Sequence, residues 1–228
     1  MYQAPDQLAP ALVVHSAHVE PKVFSPAPSE MTLDLERTAL VVIDPQADFL
    51  RSMNAAPRDP DGSTTEHKAI QNLARLCEAS KHAGITVAIS LTAEGFRGSD
   101  FFMSDLKPYI AGDTTIICSP HKRYTPIPRV NDSGLQLRRQ RVRQIILGGL
   151  IANLPLESHL RDFLEQGFEV AVVRDAIAGP KLPEGDGYLS ALVNFRGIAN
   201  GLWTTEQTVN ALGRAEDLSR LRAKGYVR

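Results

Sequence analysis

The sequence has few cysteines, almost no net charge and no long apolar run. Its two cysteines, Cys77 and Cys118, cannot build a disulfide framework in 228 residues, and both fall in apolar patterns typical of buried positions. A formal net charge of −1 gives no overall field that would recruit nucleic acid or an anionic membrane. No basic-then-apolar leader and no apolar run long enough to cross a bilayer is visible. We therefore expect a cytoplasmic protein with no nucleic-acid or membrane partner.

The composition is otherwise that of an ordinary globular protein, with 43% hydrophobic and 22% charged residues. The first 31 residues differ, because five prolines interrupt them and no periodicity is sustained. We interpret residues 1–31 as an N-terminal arm, either extended over a neighbouring subunit or disordered. The remainder is long enough for one domain with a substantial core.

From Thr38 onward, short apolar runs alternate with longer amphipathic stretches. Strands are predicted at Thr38–Ile43, Ile85–Leu91, Thr114–Cys118, Gln144–Gly148, Glu169–Arg174 and Gly201–Thr204. Helices are predicted at Glu66–Ala83, Ser133–Gln140, Leu156–Gln166 and Gly187–Asn200, with a last one capped by Thr205. This alternation predicts a single doubly wound α/β domain: a mostly parallel, six-stranded sheet with helices on both faces, a Rossmann-like three-layer sandwich.

Three residues far apart in sequence are placed at one edge of that sheet. Asp44 ends the first strand, Lys122 follows the third and Pro155 follows the fourth, and ligands of such sheets bind beyond the carboxyl ends of the strands. A carboxylate at the end of a buried strand needs a charged or hydrogen-bonding partner, and Lys122 is the natural one. Considered alone, Asp44 could instead be the first residue of a turn, and Lys122 could be a solvated loop residue.

The segment from Gly148 to Ser158, GGLIANLPLES, carries a family resemblance. It resembles the nucleophile turn of the isochorismatase-like cysteine hydrolases, whose pattern is roughly G-x-x-A/T-N-x-C-x-E-S. The cysteine position is occupied here by Pro155. The resemblance covers residues 32–212, is strongest over 144–179, and leaves 213–228 as a basic C-terminal tail. It implies the fold named above, a homo-oligomer, and a cis peptide bond near Leu150–Ile151.

The resemblance also implies a reaction that this chain cannot perform in the usual way. In the family the cysteine attacks an amide carbonyl, an aspartate matching Asp44 takes the thiol proton, and a lysine matching Lys122 holds the aspartate. Pro155 has neither a thiol nor an N–H group, and the loss of one oxyanion donor alone typically costs ~10²–10³ in rate. The N–H groups of Leu156 and Glu157 are expected to remain available to an anion.

Two functions stay open. In the first, the protein hydrolyses a C–N amide or vinyl-ether bond of a small molecule without cysteine, using Asp44 and Lys122. True isochorismatases cleave a vinyl ether with the aspartate as general acid, although their turn is unlike this one. In the second, the protein is a pseudoenzyme that binds a small ligand or acts through oligomerisation.

Other residues complete the predicted site. Candidate substrate-binding residues are Phe49, Glu94, Asn153, Ile151 and Tyr124. Ser158 and His159 would point about 100° apart on a helix, so we do not expect them to act as a pair. Nicotinamidase-like relatives bind a metal through a D-x-H motif, but residues 51–65 contain no histidine, and we expect neither metal nor cofactor. Arginines 138, 139, 141 and 143 are interpreted as a solvated helix face or an oligomer rim.

Overall fold

The core of the protein is an open sheet of six strands, all parallel. The computed structural model describes residues 31–46, 65–91, 106–110, 115–117 and 133–226. The strands are β1 Thr38–Ile43, β2 Thr86–Ser90, β3 Thr115–Ile117, β4 Gln144–Leu150, β5 Glu169–Ala178, and β8 Gly201–Trp203. Across the sheet their order is β3-β2-β1-β4-β5-β8. A separate antiparallel hairpin pairs β6 Lys181–Leu182 with β7 Gly185–Asp186. The predicted doubly wound α/β fold is confirmed.

Helices cover both faces of the sheet. They are α1 Thr65–His82, α2 Lys107–Ile110, α3 Ser133–Arg139, α4 Glu157–Glu165, α5 Gly187–Ile198 and α6 Thr205–Ala223, with a 3₁₀ turn at Leu35–Arg37. One apolar cluster lies between the sheet and helices α1 and α6. A second lies on the other face, under α3, α4 and α5. Every residue of β1 and β4 is buried, because these strands lie between the two clusters, and this explains their uninterrupted apolar sequences. None of the helices in these ranges is long and apolar enough to span a membrane.

The strand order defines where a ligand would bind. The chain adds β2 and β3 on one side of β1, then crosses over so that β4 pairs with β1 on the other side. A crevice forms at such a switch point, outside the carboxyl ends of the two strands, and open α/β sheets bind ligands there. Asp44 directly follows β1 and Ile151 directly follows β4, so the topology places both at this crevice.

Strand β5 differs from its prediction. The sequence indicated an end at Arg174, but the strand continues to Ala178 after a register shift. Leu147 of β4 pairs with Val172, whereas Gly149 pairs with Ile177, so β5 bulges between these two pairs. The carboxyl group of Asp175, within the bulge, accepts hydrogen bonds from the N–H and hydroxyl groups of Thr205. The β6–β7 hairpin that follows was not predicted.

Two smaller expectations are corrected at the ends of helices and strands. Helix α6 is capped by Thr204 rather than Thr205, through a capping box with Gln207. No cis peptide bond occurs in the described ranges, so the one expected near Leu150–Ile151 is absent; Ile151 instead adopts a left-handed backbone, with φ of 51°. Helix α6 also runs through residue 213 to Ala223, past the point where the resemblance ends.

Candidate active site

Asp44 lies fully buried at the carboxyl end of β1, with 0% of its surface exposed. Its backbone has a φ of 46°, in the left-handed region that few residues other than glycine adopt. Its N–H donates to the Ser90 carbonyl at 2.8 Å, and its carbonyl accepts from the Gln46 N–H at 2.7 Å. The turn that ends β1 thus holds a carboxylate inside the protein, next to the end of β2.

The chain leaves β4 through a single π-helical turn, Ala152–Leu156, which contains Pro155 and leads into α4. The Ile151 carbonyl accepts from the Leu154 N–H at 3.1 Å and from the Leu156 N–H at 3.4 Å, passing over residue 155. Proline fits because this pattern asks for no N–H at its position. The π turn is a geometry that often accompanies functional sites.

The same hydrogen bonds correct one expectation. The N–H of Leu156 donates to the Ile151 carbonyl, and the N–H of Glu157 donates to the carbonyls of Ala152 and Leu154. Both groups are therefore occupied within the turn and do not point towards an anion.

A chain of three hydrogen bonds connects Asp44 with Pro155. Ser90, which accepts from the Asp44 N–H, lies with its hydroxyl 3.2 Å from His159 Nε2. His159 Nδ1 lies 2.7 Å from the Pro155 carbonyl oxygen. A carbonyl only accepts, so Nδ1 carries a proton, and in neutral imidazole Nε2 then accepts from the Ser90 hydroxyl. The ends of β1 and β2 are thus tied to the turn after β4.

The role of His159 was missed by the sequence interpretation, which considered the residue only as a partner for Ser158. The side chain is 1% exposed and packs near the Phe163 ring, with centroids 6.0 Å apart. A signal was present in the sequence. His159 lies at helical spacing between Leu156 and Phe163, on the buried face of α4.

The His159→Leu variant is expected to lose about 2–4 kcal/mol of unfolding free energy, because it removes two buried hydrogen bonds, to the Ser90 hydroxyl and to the Pro155 carbonyl. Urea denaturation followed by circular dichroism measures the change. The matched control is His82→Leu, since the His82 side chain is 78% exposed and should shift stability by no more than about 0.5 kcal/mol. Equal stabilities for the two variants would contradict a structural role for His159.

Asn153 and Ile151 occupy the turn in different ways. The Asn153 Oδ1 atom is buried and has no hydrogen-bond donor in the described part of the chain. A buried acceptor of this kind calls for a partner, which a bound molecule can supply. Ile151 is 6% exposed, and its side chain belongs to the apolar cluster under α1. Its side chain thus packs in the core, while its carbonyl accepts the hydrogen bonds that close the turn.

The remaining predicted site residues, Phe49, Glu94, Lys122 and Tyr124, lie outside the described residues, as do Cys118 and the arm up to residue 30. Cys77 is buried in α1, as expected. Burial raises the pKa of its thiol to about 12, against a smaller lowering by Lys81, so it remains a thiol at neutral pH and offers no replacement nucleophile. No group of three or more metal-ligating side chains occurs within the described ranges.

Comparison with known proteins agrees with this architecture. The model of the isochorismatase domain family matches residues 38–207, well over half of the chain. No curated protein sequence matches the chain. Among solved structures, a cysteine hydrolase from Pseudomonas syringae pv. phaseolicola superposes with a TM-score of 0.65 at 19% identity, covering 84% of this chain and 100% of that one.

Two further structures are similar at comparable identity. An octameric hydrolase of unknown specificity from Escherichia coli has a TM-score of 0.59 at 20% identity, covering 81% of this chain and 83% of that one. N-carbamoylsarcosine amidase from Thermoplasma acidophilum has a TM-score of 0.54 at 16% identity, covering 74% of this chain and 96% of that one. At these identities the structural likeness establishes the fold alone.

Proposed function

This chain belongs to the isochorismatase family, and from that premise we propose that it hydrolyses a small molecule at a C–N amide or vinyl-ether bond without a cysteine nucleophile. Asp44 is the general acid or base, and Lys122 is its electrostatic partner. The observation that carries the proposal is the full burial of the Asp44 carboxylate at the switch point of the sheet. Burying a carboxylate is costly, so a protein that gains nothing from it at this position would be expected to place it in water.

For an amide, water is the nucleophile. The Asp44 carboxylate, with Lys122 as its electrostatic partner, takes a proton as the water oxygen bonds to the carbonyl carbon. Collapse of the tetrahedral intermediate breaks the C–N bond, and the proton held by Asp44 passes to the departing nitrogen. Asp44 is fully buried, and charges interact more strongly away from water, which makes one lysine effective.

For a vinyl ether, Asp44 begins as the acid. Its proton goes to the terminal carbon of the double bond, leaving an oxocarbenium ion to which water adds. The hemiketal then collapses to a carbonyl compound and an alcohol, and a proton returns to Asp44. Neither reaction needs a side-chain nucleophile, so both are compatible with Pro155.

Substrate binding is assigned to the residues around the crevice. The buried Asn153 Oδ1 is suited to accept a hydrogen bond from an amide N–H or a hydroxyl of the substrate. Phe49, Glu94 and Tyr124 are proposed to line the remaining wall. Ile151 contributes through its backbone, which shapes the turn that carries Asn153.

A second candidate function rests on Pro155 itself. A protein that binds a small ligand without transforming it, or acts by oligomerisation, has no need of a nucleophile at this position. The similar Escherichia coli hydrolase is octameric. A homo-oligomer of this chain stays a prediction, which light scattering of the purified protein would test.

The test of the proposed function is a hydrolysis panel of small amides, ureides and vinyl ethers, run on the wild type, Pro155→Cys and Pro155→Ala. We expect the wild type to cleave at least one bond class. Pro155→Ala is the matched control, because it restores an N–H group without adding a thiol. Turnover by Pro155→Cys alone would contradict cysteine-independent hydrolysis and favour the second candidate.

A further inference from the structure

A groove lined by arginines opens at the edge of the sheet opposite to Asp44. Arg37, Arg138, Arg141 and Arg143 surround a cavity of about 460 Å³, together with Val142, Gly167 and Phe168. Arg37 precedes β1 and Arg143 precedes β4, so this arginine groove lies at the amino ends of the strands whose carboxyl ends form the candidate active site. The volume falls within the range typical of small-molecule sites.

Backbone hydrogen bonds fix the positions from which the arginine side chains of the groove extend. The Arg143 N–H donates to the Arg37 carbonyl at 2.8 Å, and the Arg143 carbonyl accepts from the Glu169 N–H at 3.0 Å. Arg141 ends the turn after α3 in a left-handed conformation, with φ of 63°, and its N–H donates to the Arg138 carbonyl at 2.8 Å. The four arginines are therefore held together by the starts of two strands, β1 and β4, and by the end of helix α3.

The charge in the groove is poorly balanced by the protein. Arg37 Nε lies 3.6 Å from Asp34, but Arg138, Arg141 and Arg143 form no ion pair with any carboxylate in the described ranges. The nearby Glu169 carboxylate accepts from Gln144 Nε2 at 2.8 Å instead. Positive charges gathered around one cavity repel each other, and a ligand with several negative charges would relieve that repulsion.

The chemistry of the lining selects among anions. Guanidinium groups bind phosphate through two parallel N–H···O bonds, a geometry that a lysine cluster cannot match. The Arg138 guanidinium lies over the Phe168 ring, 4.8 Å from its centroid, in a cation–π contact. Phe168 is only 4% exposed, so a nucleobase cannot stack on its ring. Recognition would therefore depend on the anionic groups of the ligand.

We propose that the arginine groove binds a small molecule carrying two or more linked phosphate groups. The site is distinct from the crevice at Asp44 and does not depend on the hydrolase activity. An inorganic polyphosphate and the phosphate chain of a nucleotide share this chemistry, so both are used as probes.

The test is isothermal titration calorimetry of the full chain with tripolyphosphate and with ATP at physiological ionic strength. We expect saturable binding of tripolyphosphate by the wild type and a dissociation constant at least about tenfold higher for the double variant Arg141→Gln, Arg143→Gln. The control is Arg196→Gln, Arg222→Gln, which removes the same charge from exposed positions on α5 and α6 and should leave binding unchanged. Tighter binding of ATP than of tripolyphosphate would identify a nucleotide as the source of the phosphates.

Several outcomes would overturn the proposal. One is the absence of tripolyphosphate and ATP binding by the wild type, and another is an equal loss of affinity in both double variants. A third is binding of a short RNA oligonucleotide without binding of tripolyphosphate, which would make the groove a nucleic-acid contact. A fourth is a change of oligomeric mass in the Arg141→Gln, Arg143→Gln variant without any phosphate binding, which would make it a subunit contact. Melting curves keep these results interpretable, because both arginines are exposed and their backbone hydrogen bonds survive substitution.

Discussion

The Asp44→Asn variant is expected to lose hydrolysis by roughly 10²–10⁴-fold, the range that a positioned general acid or base contributes. Asparagine is close in size to aspartate, so it can occupy the same buried space, but it neither takes nor gives a proton at neutral pH. The measurement is kcat/KM on the best substrate from the hydrolysis panel, with a melting curve to show that the variant is folded.

The matched control for Asp44→Asn is Asp217→Asn, an exposed carboxylate on α6 that should change neither activity nor stability appreciably. Unchanged activity of Asp44→Asn together with an unchanged melting temperature would remove Asp44 from the mechanism. An increase in melting temperature with no activity in the wild type would instead support a non-catalytic protein, relieved of a buried charge.

The Gly149→Ala variant is expected to be the most destabilised of the single substitutions considered, by more than about 3 kcal/mol, or to fail to fold. A Cβ atom at this position would lie 2.5 Å from Ile43 N and closer still to the Ile43 carbonyl oxygen. The neighbours are backbone atoms of β1 and cannot move aside singly. The φ of 134° adds strain for any residue with a side chain. Chemical denaturation, or expression yield where the variant does not fold, measures the effect.

Gly213→Ala is the matched control, because the same substitution in the middle of α6 meets no atom within 4 Å. There the added methyl group should stabilise the protein by roughly 0.5–1 kcal/mol, through helix propensity. A mild effect at Gly149 would mean that β1 and β4 can separate at their carboxyl ends. The close approach of these two strands would then not be what fixes the distance between Asp44 and the turn at Pro155.

The central part of the fold could be predicted because its signals are local. The strands β1 and β4 are short apolar runs with clear ends, and the boundaries of β1 agree with the prediction to the residue. Once those two strands are placed in parallel, the position of Asp44 beside the turn after β4 follows from topology. The position of Asp44 beside the turn after β4 could therefore be predicted from the hydrophobic pattern and from the connection rules of parallel sheets alone.

The parts that were not predicted depend on partners distant in sequence. The carbonyl of Asp175, in the β5 bulge, accepts from Asn72 on α1, 103 positions away, while its side chain holds the start of α6. The buried side chain of His159 forms a hydrogen bond with Ser90, 69 positions away. No window of neighbouring residues contains these contacts, and so the extension of β5 and the network behind Pro155 emerged only with the tertiary structure.

The β6–β7 hairpin also gives the fold a place where extra chain can be accommodated. Its ladder consists of two residue pairs, and the residues from Lys181 to Gly185 are exposed. Gly187, at its base, packs against Asn153 of the π turn. A fluorescent label or a short peptide inserted between Pro183 and Glu184 would project into solvent without touching the six-stranded sheet. Being anchored close to Asn153, such a reporter would provide an optical signal of ligand entry that needs no knowledge of the reaction.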